Sequence, residues 1–142
     1  MKVWLLGRDT AEEMLRGFVK MYDEADIVTG HYIRKHDLPI VNGALIEAGL
    51  PTLSAKLTSD TKIDLVKRKD LSASKENLAG ALGITAAKLH MSNASWRKAN
   101  RLEAGGIRLA YRRVSGDVIQ HMALRKKLIA RGLLGPPRVW RP

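Results

Sequence analysis

Apolar residues fall along this chain in short blocks whose spacing changes from block to block, and the changes mark its elements. Val3-Trp4-Leu5-Leu6 is a compact apolar run halted by Gly7, which predicts a strand over residues 2–6. Met14, Leu15, Phe18, Val19 and Tyr22 then recur at helical spacing. Thr10 ahead of them has N-cap chemistry, and Glu12 and Glu13 fall in the first turn, where the helix dipole favours anions. Residues 26–29 read as a short buried strand. Val41, Leu45 and Ile46 stripe a second helix that opens at Asp37 or Leu38, tolerates Pro39 in its first turn, and stops at Gly49 and Pro51. Residues 62–66 predict a third strand. Ser74 caps a helix over 75–82 that Gly83 closes. Residues 84–106 look irregular apart from a short helix around 95–102, with a break at Gly105-Gly106. A long C-terminal helix covers much of 107–130, with an interruption expected near Ser115-Gly116. The alternation of strands and helices predicts an α/β domain over 1–134, a small, largely parallel sheet flanked by helices. A basic tail, 135–142, follows.

Composition narrows the class. A chain of 142 residues, 45% of them hydrophobic, can bury one core. The absence of cysteine excludes disulfides and zinc–thiolate sites and fits a reducing, cytoplasmic setting. No secretory leader is expected from the brief N-terminal apolar run. No apolar stretch reaches the ~20 residues that span a bilayer, so no membrane partner is expected. The net charge of +11 implies an anionic partner, and nucleic acid is the commonest. The cations are spread along the chain rather than gathered on one amphipathic interfacial helix, which argues against a membrane surface. A basic surface without a partner is the plainer alternative.

The densest chemical signal is Gly30-His31-Tyr32-Ile33-Arg34-Lys35-His36-Asp37-Leu38-Pro39, where a strand hands over to a helix. Open α/β sheets place ligand chemistry at such strand ends. This stretch resembles the second motif of the DEDD, or DnaQ-like, proofreading 3′–5′ exonucleases of the RNase H-like superfamily: strand, Gly, a small polar residue, spacers, an aromatic, then Asp-Leu-Pro. Ile63-Asp64-Leu65 resembles a strand aspartate that follows that motif, Ser74 to Leu78 a helix start, and Gly116-Asp117-Val118 the third-motif aspartate.

The resemblance implies a shortened RNase H-like fold and a nuclease hydrolysing DNA phosphodiester bonds with two Mg²⁺ or Mn²⁺ ions about 3.5–4 Å apart. Such ions want several oxygen ligands at one point. Asp37, Asp64 and Asp117 become the implied metal ligands and catalytic carboxylates, with His36 beside them. The family's Asp-x-Glu pair occurs nowhere in the sequence, and Arg113 and Arg112 stand where a water-orienting Tyr or His would be. The likeness is therefore to an N-terminally shortened, phage-type member, which would work in a bacterial cytoplasm. Purely structural roles compete: Asp37 and Asp117 as helix caps, Asp64 as a surface partner of Lys62 or Arg68.

Arg34, Lys35, Lys67, Arg68, Lys69, Lys75, Arg97, Arg112 and Arg113 are candidate phosphate contacts. Trp96 is a candidate stacking platform for an unpaired base, or else fills a core gap. The resemblance also implies that the central strand of the RNase H-like sheet is missing, which would leave an exposed edge. That predicts a homodimer, or a strand 2–6 repacked beside 26–29. A dimer suits a two-fold substrate such as a Holliday junction. A metal-dependent nuclease related to exonucleases, a dimeric junction resolvase and a catalytically inactive nucleic-acid-binding remnant all remain open.

Overall fold

The computed structural model of the chain describes residues 2–67, 71–85 and 89–142. Its elements in order are α1 (Ala11–Glu24), β1 (Val28–Gly30), α2 (Asp37–Glu47), β2 (Lys56–Asp60), α3 (Lys75–Ala81), α4 (Asn93–Asn100), α5 (Ala104–Ala130) and β3 (Arg138–Trp140). The fold is α/β, with a mixed sheet of order β1-β2-β3. Strands β1 and β2 are parallel, with Gly30 opposite Asp60. Strands β2 and β3 are antiparallel, with Thr58 opposite Arg138.

Local chemistry explains most helix starts. Thr10 and Glu13 form a reciprocal capping box at α1. Ser74 accepts from the Asn77 N–H at α3, and Ser92 from the Ser95 N–H at α4. Gly49 and Gly83 take positive φ just past the ends of α2 and α3.

The sheet separates two apolar clusters. Tyr22, Ile33, Leu38, Leu45, Leu53 and Trp140 form one, with Val28 packed against it. Leu65, Leu78, Leu82, Leu124 and Leu128 form the other. Alternation along the strands assigns the faces. Val28 and its register partner Thr58 face α1 and α2. Thr29 and its partner Ser59 face α5, where they meet His121 and Arg125.

The structure corrects several expectations. Residues 2–6 form no strand: Leu6 makes one isolated bridge to Asp9. Trp4 lies so close to Gly17 that any side chain there would strike its ring. The segment therefore covers α1 instead of pairing with β1. Residues 62–66 are a turn, closed by Asp64 N–H to the Asp60 carbonyl (2.9 Å), plus one bridge from Leu65 to Leu134. The second strand lies six residues earlier. It was obscured because its buried residues are Thr58, Ser59 and Asp60. Their polar groups are satisfied internally; the Thr58 hydroxyl, for example, donates to the Arg138 carbonyl at 2.8 Å.

Gly105-Gly106 does not break the chain, and Ser115-Gly116 does not interrupt it. Both pairs lie within α5, a continuous helix of 27 residues. Gly106 is needed because a Cβ there would collide with the backbone of Lys98 and Ala99, so α4 and α5 pack as a close hairpin. The segment expected as a basic tail carries β3 and buries Trp140.

Candidate functional site

Strands β1 and β2 end side by side, and a polar cluster gathers at their carboxyl ends. Asp60, the last residue of β2, is fully buried. Its carboxylate accepts backbone N–H groups from Tyr32 (2.9 Å), Lys62 (3.0 Å), Ile63 (3.1 Å) and Arg34 (3.2 Å). Asp60 thereby moulds both loops leaving the sheet. It also holds Tyr32 at φ 72°, a left-handed conformation that bulky residues avoid. The ammonium of Lys62 sits over the Tyr32 ring, 3.8 Å from its centroid.

Two histidines flank this point. His31 Nδ1 lies 3.1 Å from the Thr61 hydroxyl, and His121 Nε2 lies 3.0 Å from the Thr29 hydroxyl. Burial pushes the His121 imidazole down to about 4, and the charges of Lys75, His31 and Arg125 add to the effect against the opposing pull of Asp60. Burial likewise lowers His31. Both histidines are therefore neutral at physiological pH.

The three carboxylates implied as metal ligands have separate fates. Asp64 is buried and paired with Arg34, and its second oxygen faces Arg138 at 3.7 Å. It is neither a surface residue nor an open ligand. Asp117 lies in mid-helix, not at a cap. Arg113 Nε is 3.0 Å away and Lys75 Nζ 3.6 Å away. Lys75 also donates to the Asp117 carbonyl at 3.0 Å, clamping the start of α3 to α5. Asp37 is the first residue of α2, exposed beside His36 with 3.7 Å between them. Among the described residues, no group of three or more His, Asp or Glu side chains is placed to hold a metal ion. Two of the three carboxylates, Asp64 and Asp117, are paired with cations of the same chain.

The candidate phosphate contacts divide in the same way. The Arg34, Lys75 and Arg113 side chains are 11%, 15% and 18% exposed, and each is turned inward onto an aspartate. These pairings tie neighbouring parts of the fold together. Lys35, Lys67, Arg97 and Arg112 are exposed. Arg68 and Lys69 lie outside the described residues.

Among the described residues, the α4–α5 hairpin carries a dense cationic surface. Residues 93–131 carry ten Lys and Arg against Glu103 and Asp117 alone. On α4 and the first half of α5, Arg97, Lys98, Arg101, Arg108 and Arg112 all face solvent. Trp96 stands among them, 43% exposed.

Sequence reasoning missed Asp60, Thr29, Thr61 and the pairing role of Arg138. Asp60 closes the short run Leu57-Thr58-Ser59, which was passed over by placing the strand over 62–66. No helix among the described residues is long and apolar enough to cross a membrane. No family model, curated protein or solved structure matches the chain.

Proposed function

We propose that this chain binds nucleic acid, single-stranded DNA before RNA, through the cationic face of α4 and α5. The observation that supports this reading is the one-sided charge of that hairpin. Its five outward cations have no carboxylate partner among the described residues, whereas the acidic residues nearest the sheet end are engaged inside the fold. Unpaired, solvated cations on a rigid helical pair suit a phosphate backbone, which they position without reading sequence.

The test is fluorescence anisotropy on labelled single-stranded, duplex and four-way-junction DNA across a salt series. Replacing Arg97, Arg101 and Arg112 together by Gln removes three phosphate contacts. It is expected to flatten the slope of log K against log salt by about 2 for single strands. An unchanged slope would count against the interface.

Metal-dependent phosphodiester hydrolysis is the second reading. It is favoured by the position of Asp117, joined through Lys75 to the cluster at the strand ends, where open α/β sheets carry chemistry. Either an exonuclease or a dimeric junction resolvase would follow from it. Cleavage assays with Mg²⁺, Mn²⁺ or EDTA, on wild type, Asp37→Asn and Asp117→Asn, decide it. Metal-dependent cutting lost in both variants supports a nuclease. Binding without cutting leaves a nucleic-acid-binding module, and a monomer by sedimentation at high micromolar concentration removes the resolvase.

A further inference from the structure

Beside the cationic face lies a cleft of about 330 Å³, lined by Glu76, His90, Met91, Trp96 and Arg113. That volume is at the small end of ligand pockets, suited to one flat ring system rather than an extended chain.

The cleft is built before any ligand arrives. Arg113 donates to the Leu89 carbonyl at 2.7 Å and pairs with Asp117, which ties the wall at residues 89–91 to α5. Ser92 caps α4 and so fixes the helix that carries Trp96. The three tryptophans differ in a way that matters here. Trp140 is 8% exposed and belongs to a core cluster, and Trp4 lies against Gly17. Trp96 belongs to neither cluster and is 43% exposed at the mouth of the cleft. The cleft thus combines an accessible indole with a thioether, an imidazole, a carboxylate and a guanidinium, a mixture of apolar surface, donors and acceptors. Arg97, the next residue along α4, is exposed.

We propose that this cleft is a nucleobase subsite. It takes one unstacked base of a single strand against Trp96, while Arg97 and its neighbours hold the adjoining phosphates. The assignment rests on the nucleic-acid reading above and deepens it, because duplex DNA keeps its bases stacked and offers none to the cleft. A base stacked on an aromatic side chain is a recurrent, sequence-tolerant device of single-strand binders.

The experiment compares the affinity of the full chain for a labelled single-stranded DNA and for an abasic strand of the same length, in wild type, Trp96→Ala and Trp96→Phe. Wild type is expected to prefer the base-bearing strand about tenfold. Trp96→Ala should bring that ratio close to one, and Trp96→Phe should keep most of the preference. A ratio that survives in Trp96→Ala would overturn the subsite. Equal binding of both strands by wild type would overturn it while leaving the phosphate interface standing. Binding of neither strand would remove the nucleic-acid reading and the subsite with it.

Discussion

The buried imidazole of His121 makes a quantitative demand on acid stability. Its Nε2 is within hydrogen-bond distance of Thr29, its Nδ1 is buried without a partner, and Lys75 and Arg125 are close enough to oppose a second positive charge. In the folded chain it titrates near 4, against 6.5 for an unconstrained histidine. The unfolded chain therefore binds the proton first on acidification. Stability is full above about pH 6.5 and falls as pH drops toward 4. From these two values the loss is roughly 1–2 kcal/mol at pH 5.5 and roughly 2–3 kcal/mol at pH 4.5. That is a large part of the roughly 5–15 kcal/mol that holds a domain folded.

His121→Gln keeps a hydrogen-bonding group for Thr29 and removes the titration. Urea denaturation of both proteins at pH 7.5, 5.5 and 4.5 gives the comparison. The variant is expected to be slightly less stable than wild type at pH 7.5 and to overtake it by pH 4.5. Carboxylates titrating in the same range affect both proteins alike and cancel in the difference. A stability difference that stays constant across the series would refute the argument and show that protonated His121 is solvated or paired.

Three further outcomes follow from the packing. Asp60→Ala strands four backbone N–H groups around a buried carboxylate and should cost roughly 3–5 kcal/mol, read as a lowered urea midpoint, with Asp60→Asn losing less because one acceptor remains. Arg34→Met leaves Asp64 as a buried charge held by the Asp60 N–H and the looser Arg138, and should cost about 3–5 kcal/mol in thermal unfolding without weakening DNA binding. Gly106→Ala forces α4 away from α5 and should lower stability by about 1–3 kcal/mol. It should also blunt DNA affinity, because Trp96 and Arg97 move with α4, and unchanged binding would separate the hairpin's geometry from its charge.

The helices were legible because their signals are local. Thr10, Ser74 and the glycines after α2 and α3 announce their ends through backbone chemistry that needs no tertiary context. The sheet was harder to read because β2 is buried with threonine, serine and aspartate pointing inward, a pattern that hydrophobic periodicity scores as loop. Gly106 reads as a breaker in sequence, yet in space it is the contact point of two helices. The same limit applied to charge. Arg34, Lys75 and Arg113 look like surface cations until Asp64 and Asp117 are seen beside them. Residues separated by 30 and 42 positions carry no sequence mark of their pairing.

The placement of β3 also governs how the protein is born. Thr58 in β2 waits for Arg138, which is 80 residues further along. At roughly 5–20 residues per second, the ribosome takes about 4–16 s to supply it. During that interval the nascent chain holds a sheet with one side open and a first core lacking Trp140, so it is then that chaperones have the most to protect.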